Sequence, residues 1–347
     1  MIRFVCDYAE GAHEAILRRM LETNLEQTPG YGEDQHCERA RQLIRKACGR
    51  EDAAIHFLVG GTQTNTIVIA SVLKPHEGVI AAETGHIACH ETGAVEASGH
   101  KVITLKGQDG KLDAALVERY LKTYWADANF EHIVKPAMLY LSQPTECGTL
   151  YSKKELQALR AIADTYGLCL YVDGARLGYG LASAGNDVSL TELTSLADVF
   201  SIGGTKVGAL FGEAVVFTSD TYGREFRYMI KQRGAMLAKG RLLGIQFETL
   251  FEDGLYMKIA AHADKLAMRI QDALTEKGIP LWGRSPTNQI FPILRDDQRD
   301  YLKGEGFDFG FWEGAEEGKA VYRICVSWAI TEEQADALIS AIRRMPC

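Results

Sequence analysis

Short apolar runs alternate along the chain with segments in which apolar residues recur every three or four positions. The runs at 53–59, 78–82, 101–105, 137–142, 168–173, 199–202 and 214–217 are mostly apolar and often β-branched, which predicts strands. Helical patterns lie between several of them, for example at 113–124 and over Lys153–Tyr166. In the second, Leu156, Leu159, Ile162 and Ala163 fall at helical spacing and Gly167 supplies a stop. Strands alternating with helices predict an α/β fold, a largely parallel sheet covered on both faces, whose chemistry gathers beyond the carboxyl ends of the strands. After about residue 245 the pattern changes. Helical segments at 254–277 and 331–344 flank candidate strands at 289–294 and 321–328. The expected organisation is a large domain over 1–245 and a smaller C-terminal α+β domain over 246–347.

Composition narrows the class. The chain has 347 residues, 46% of them hydrophobic and 24% charged, enough to bury a large core. A formal charge of −8 disfavours a general nucleic-acid or anionic-membrane surface, without excluding a local basic pocket. The opening Met-Ile-Arg-Phe-Val-Cys-Asp lacks the apolar stretch of a signal peptide, and no run approaches the ~20 apolar residues of a membrane span. The expected compartment is cytoplasmic. The eight cysteines, Cys6, Cys37, Cys48, Cys89, Cys147, Cys169, Cys325 and Cys347, are scattered with no Cys-x-x-Cys pair, so they read as reduced thiols and support no zinc site.

Three strand ends carry candidate chemistry. Leu168-Cys-Leu-Tyr-Val-Asp173-Gly-Ala-Arg176 is an apolar strand ending in an acid, where a carboxylate can face a ligand and keep a pyridine nitrogen protonated. A helix cap or an ion pair is the plainer use of such a residue. Val199-Phe-Ser-Ile-Gly-Gly-Thr-Lys206 runs from a strand through a glycine pair to one lysine among small or apolar neighbours. Desolvation lowers a lysine's pKa and makes the amine nucleophilic enough to form an imine; an isolated lysine is otherwise a solvated charge. Gly60-Gly61-Thr62-Gln63, before a helical pattern, offers free N–H groups and a hydroxyl to a phosphate, although many such turns only cap helices. Its spacing is neither a Walker A loop nor a dinucleotide fingerprint.

Taken together these motifs resemble the threonine aldolase and β-eliminating lyase family of fold-type-I pyridoxal-phosphate enzymes. The similarity rests on Gly60-Gly61-Thr62-Gln63-x-Asn65, Asp173-Gly-Ala-Arg176 and Ser201-Ile-Gly-Gly-Thr-Lys206. It continues through Tyr31-Gly-Glu-Asp34, Gly85-His86, Glu91-Thr-Gly93, Thr145-Glu146-x-Gly148 and Thr287-Asn288-Gln289, and ends at Tyr322-Arg323-Ile-x-Val-Ser-Trp328. The resemblance implies pyridoxal 5′-phosphate as cofactor, held as an internal aldimine on Lys206, with Asp173 on the ring nitrogen and His86 stacked on the ring. It implies Gly61, Thr62 and Gln63 at the phosphate, and Arg176 at the phenolic oxygen or the substrate carboxylate. Arg323 is the better candidate for the α-carboxylate, because a planar guanidinium binds it bidentately. Structural ion pairs are the alternative for both arginines, and a capping or core role is the alternative for His86. Tyr31 and Asp7 are expected at a substrate site shared across a homodimer or homotetramer.

Two departures stand out. Glu146 occupies the place where many threonine aldolases carry a second histidine, as in phenylserine-aldolase-like relatives. A Gly-Met-Arg segment appears here as Ala235-Met236-Leu237, with Arg233, Lys239 and Arg241 as the nearby basic residues. His86 and His90 stand four apart, but not in a His-Glu-x-x-His order, so no metal is expected. The implied activity is cleavage of a β-hydroxy-α-amino acid of the threonine, allo-threonine or phenylserine type into glycine and an aldehyde. Lys206 is catalytic, and Glu146, an activated water or His86 is the base. The same lysine and acid would also serve β-elimination, transamination or racemisation, or a cofactor-holding protein without turnover.

Overall fold

The computed structural model describes residues 1–346; Cys347 lies outside the described residues. In chain order the strands are β1 (Ile2–Phe4), β2 (Ala54–Leu58), β3 (Glu77–Ala82), β4 (Val102–Leu105), β5 (Lys135–Ser142), β6 (Cys169–Asp173), β7 (Val199–Gly203), β8 (Glu213–Phe217), β9 (Gln289–Ile290), β10 (Ile293–Arg295), β11 (Phe307–Gly314) and β12 (Lys319–Cys325). The seven apolar runs of the first part of the chain all form strands, and they build one sheet in the order β2-β8-β7-β6-β5-β3-β4. β7, β6, β5, β3 and β4 are parallel, whereas β8 runs against both of its neighbours.

Alternation along each strand sorts side chains to the two faces. On β6, Leu170 and Val172 join the larger core with Leu156, Leu159 and Phe200. Cys169 and Tyr171 point the other way, toward Ile67 and Val68 of the helix Gly61–Val72. The same parity carries Asp173 to the Gly61–Val72 side at the strand's carboxyl end, opposite Ser142 of β5. The helix Lys153–Tyr166 starts at Ser152, whose hydroxyl and Glu155 form a capping box, and stops at Gly167 with φ 65°. The helices expected at 113–124, 254–277 and 331–344 span Ala114–Ala126, Leu255–Glu276 and Glu332–Arg344. Among the described residues no helix is long and apolar enough to cross a membrane.

The second sheet runs β1-β11-β12-β10, with β9 also on β12. The run expected as one strand at 289–294 is two, because Pro292 has no N–H for a ladder; it forms an isolated bridge with Leu281 instead. The strand expected at 321–328 begins earlier, at Lys319, and ends at Cys325. Two strands escaped the apolar reading. In β11, Phe307 and Phe309 are buried but Phe311 on the same face is 65% exposed, and a bulge follows between Phe311 and Glu313, so no apolar alternation marks the strand. β1 is only three residues long and pairs parallel with β11, Ile2 opposite Phe307. The chain start therefore belongs to the second sheet, and the segment after it enters the cleft between the two sheets. The helix Leu255–Glu276 packs against both the helix Leu177–Ala182 and the helix Glu332–Arg344.

That long helix buries Asp264, and neither carboxyl oxygen has a hydrogen-bond partner among the described residues. Burial alone pushes its pKa up to about 9. An acid raised on folding contributes stability that is full below its ordinary pKa and is lost as pH climbs through the raised one. Asp264→Leu is therefore expected to gain stability relative to the parent as pH rises from 5 to 9, by on the order of 1–3 kcal/mol. Urea unfolding of both proteins at the two pH values measures it.

Candidate active site

Asp173 ends β6 with 6% of its surface exposed, and three donors converge on it. Oδ2 accepts from the Tyr140 hydroxyl at 2.7 Å and from Asn65 Nδ2 at 2.9 Å; Oδ1 accepts from the Ala175 N–H at 2.9 Å. Burial by itself would raise the carboxyl pKa, but the charge of His86 and these three hydrogen bonds outweigh it and hold Asp173 below the ordinary range. It is a buried anion with its upper edge facing the cleft.

Asn65 ties this carboxylate to a second one. Its amide also donates to Glu91 Oε1 at 2.8 Å and its carbonyl accepts from the Tyr171 hydroxyl at 2.6 Å. Glu91 Oε1 in turn lies 2.8 Å from His86 Nδ1, which fixes the imidazole. Burial works to lower the His86 pKa; the Glu91 contact and the charges of Asp173 and Glu91 raise it on balance. His90 is exposed and takes no part beyond a ring contact with His86, 5.7 Å between centroids.

Glu146 lies across the cleft. Oε1 accepts from the His86 backbone N–H at 2.9 Å and from the Ser142 hydroxyl at 2.7 Å, while Oε2 is buried without a partner among the described residues. Burial, reinforced by Asp173, raises its pKa. Lys206, in the loop after β7, lines the same pocket together with Gly61, His86, Ser142, Glu146, Asp173 and Arg176. No hydrogen bond to a described residue holds its amine. Burial and the neighbouring Arg176 charge lower its pKa against the pull of Asp7, Asp173 and Glu213.

The helix Gly61–Val72 begins at Gly60 with no side-chain cap, and a Cβ built on Gly60 or Gly61 would meet nothing within 4 Å. Its free N–H groups thus face open space. Thr62 is exposed at that end, whereas Gln63 turns back, its Oε1 accepting from the Val59 N–H at 3.0 Å. These groups suit pyridoxal phosphate: an anion for the ring nitrogen, an unengaged amine for the aldehyde carbon, and an uncapped helix start for the phosphate.

The arginines divide. Arg176 is locked to Asp7, Nε to Oδ2 at 2.7 Å and a terminal nitrogen to Oδ1 at 3.0 Å, and Asn288 donates to the same Asp7 Oδ2 at 2.9 Å. Although buried, Asp7 is driven well below the ordinary carboxylate range by Arg176, Lys206 and Asn288. Arg323 on β12 donates to the Val5 carbonyl at 3.1 Å and to Gln289 Oε1 at 3.4 Å and lies 5.6 Å from the Trp312 ring centre, and its buried Nε has no partner among the described residues. Tyr31 stands elsewhere. It is 46% exposed, carries φ 61°, and lines a separate cleft of about 900 Å³ with Glu33, His56, Arg227 and Lys231. That cleft is far roomier than the Lys206 pocket but holds no buried acid and amine facing each other. Of the basic residues near Leu237, Arg241 donates to the Thr23 and Asn24 carbonyls, and none lines the Lys206 pocket.

Within one chain the fold thus gathers Gly61, His86, Glu146, Asp173, Arg176 and Lys206, sets Asp7 behind Arg176, and leaves Tyr31 outside. Sequence reasoning assigned no role to Tyr140, Ser142, Tyr171 or Glu213. The first three share the face of Asp173, but for Tyr140 and Ser142 only the register between β5 and β6 shows it.

The beta-eliminating lyase family pattern matches residues 4–297. The low specificity L-threonine aldolase of Pseudomonas sp. (strain NCIMB 10558) is 31% identical over 98% of this chain and 97% of its own, and that of Pseudomonas aeruginosa is 30% identical over the same shares. A solved structure of Leishmania major threonine aldolase superposes with a TM-score of 0.96 at 43% identity, covering 99% of both chains. A putative aromatic amino acid β-eliminating lyase/threonine aldolase from Exiguobacterium shares the fold, with a TM-score of 0.72 at 17% identity over 99% of this chain and 97% of its own.

Removing one member of the Asp7–Arg176 pair strands the other charge. Asp7→Ala is expected to cost about 3–5 kcal/mol of stability, a loss that urea unfolding reads directly.

Proposed function

The chain belongs to the β-eliminating lyase family, and from that premise we propose that it is a pyridoxal-phosphate-dependent carbon–carbon lyase. Its substrate is a β-hydroxy-α-amino acid of the threonine, allo-threonine or phenylserine type, and its products are glycine and an aldehyde. The observation that carries the reading is the pairing, in one pocket, of an amine with no hydrogen-bond partner among the described residues and a buried carboxylate kept ionised. When bound, the cofactor supplies a protonated ring that accepts the electron pair left on the α-carbon. The side chains do the rest. Asp173 holds the ring proton, and its three donors keep it from taking that proton for itself. Lys206 supplies the amine that bonds the cofactor, His86 covers the ring, and the start of the helix Gly61–Val72 takes the phosphate.

Substrate orientation falls to the arginines. Arg323, with its Nε unengaged, binds the α-carboxylate, while Asp7 holds Arg176 rigid at the pocket wall. Fixing the carboxylate sets which bond at the α-carbon stands perpendicular to the ring and so which bond breaks. Glu146 fits the base that removes the β-hydroxyl proton. Its side chain lines the Lys206 pocket, its Oε2 has no partner among the described residues, and burial raises its proton affinity toward the range where a general base works best.

The assembly is read as a homodimer, or a tetramer built from dimers, in the cytoplasm, with Tyr31 reaching the partner's pocket. The support is its position, exposed and outside the Lys206 pocket of its own chain.

Incubated with L-threonine or phenylserine, the purified holoenzyme is expected to release glycine and aldehyde in equal amounts; pyruvate or ammonia as product would overturn the retro-aldol reading. Glu146→Gln should keep the cofactor but lose ~10²–10⁴-fold in kcat. Lys206→Ala should leave no borohydride-reducible bond to pyridoxal. Mixing inactive Lys206→Ala with inactive Tyr31→Ala subunits should restore part of the activity, because one site of each mixed dimer is then intact; no recovery on subunit exchange rules out the shared site.

A further inference from the structure

The Lys206 amine has no hydrogen-bond partner among the described residues, so its position is set by the backbone that carries it. That backbone lies in the loop between β7 and β8, outside any strand or helix. Among the described residues one hydrogen bond reaches Lys206: its carbonyl accepts from the Tyr179 hydroxyl at 2.6 Å. Tyr179 is fully buried and belongs to the helix Leu177–Ala182, which starts directly after Arg176. A side chain from the segment that follows Asp173 thus holds the residue that bears the amine.

The same two segments are laced together up to the edge of that loop. The Gly203 N–H donates to the Gly174 carbonyl at 2.9 Å, and the Gly174 N–H donates to the Ser201 hydroxyl at 2.9 Å. A Cβ on Gly174 would collide with the Ser201 carbonyl, and one on Gly203 with that of Ala175, so this approach requires glycine at both positions. Tyr256, from the helix Leu255–Glu276, bridges them again. Its hydroxyl donates to the Gly203 carbonyl at 2.9 Å and accepts from the Gly178 N–H at 3.0 Å. Gly204 and Thr205 donate their N–H groups to the Gly212 carbonyl at 2.9 and 3.1 Å. Every one of these bonds stops short of Lys206; only the Tyr179 hydroxyl extends the lacing to it.

We propose that Tyr179 is a positioning residue for Lys206: by holding the lysine's carbonyl it sets where the amine stands in the pocket, and Tyr256 steadies the helix from which it acts. Neither hydroxyl takes part in making or breaking a bond. An amine that must meet a carbon at bonding distance loses much of its reactivity when displaced by about 1 Å, so a bond at the backbone is felt at the end of the side chain. The proposal rests on the assignment of Lys206 as the cofactor-bonding amine.

The test follows loss of pyridoxal phosphate from the loaded protein during dialysis, read by visible absorbance, for the parent, Tyr179→Phe and Tyr256→Phe. The cofactor can leave only while its bond to Lys206 is open. Tyr179→Phe strands a buried carbonyl and frees the loop, so the open fraction, and with it the rate of loss, is expected to rise about tenfold. Tyr256→Phe, one step removed, should raise the rate about threefold. It supplies the reading if Tyr179→Phe does not fold, and no rise in it overturns the proposal equally. Both substitutions are then placed in Lys206→Ala, where there is no bond to open, and there each should change the rate by less than about twofold. An unchanged rate in folded Tyr179→Phe, or a rise as large in the Lys206→Ala background, makes Tyr179 a packing residue and overturns the proposal while leaving Lys206 in its role. A parent protein with no borohydride-reducible bond at Lys206 overturns both.

Discussion

Asp173 is buried and yet anionic, a combination that costs several kcal/mol unless other groups replace the lost water. Tyr140, Asn65 and the Ala175 N–H replace it, and the partners of those groups extend outward in turn. Through Asn65 the web reaches Tyr171 and Glu91, and through Glu91 it reaches His86. His86, through Glu91, and Asp173 are therefore held by one amide. A shift of either would be felt by the other, which is how a site of this kind keeps its parts in register.

A second constraint joins the two sheets. β1 places the chain start in the second sheet, and three residues later Asp7 enters the cleft to meet Arg176 from the first. Asn288, just before β9, closes the same knot on Asp7. An ion pair of this depth is a poor way to gain stability but a good way to fix orientation, because its geometry tolerates little error.

Much of the fold was legible in the chain. Strands that are buried on both faces must be apolar throughout, so the seven runs of the large sheet stood out, as did the helix closed by Ser152 and Gly167. The second sheet was harder to read. Its strands are short or half-exposed, as Phe311 shows, and Pro292 divides what composition presents as one run. β1 has only three residues and no local signal, since its existence depends on a partner three hundred positions away. Of the site, the residues at strand ends and glycine turns were legible because their chemistry is unusual for their surroundings. Tyr140, Ser142 and Glu213 look like ordinary strand residues until their neighbours are known.

By itself the order of amino acids determined the α/β class, and it marked Lys206, Asp173 and the Gly60-Gly61-Thr62 turn as residues whose chemistry is unusual for strand ends. These follow from local rules: periodicity, strand parity, and the cost of leaving a charge among apolar residues. Only the tertiary structure decided that Arg176 is bound by Asp7, that Asn65 links Asp173 to Glu91, that Tyr31 stands outside its own pocket, and that β8 runs against its neighbours. Those facts depend on which distant segments meet and in which direction strands run, and no spacing along the chain encodes a contact between residues 7 and 176.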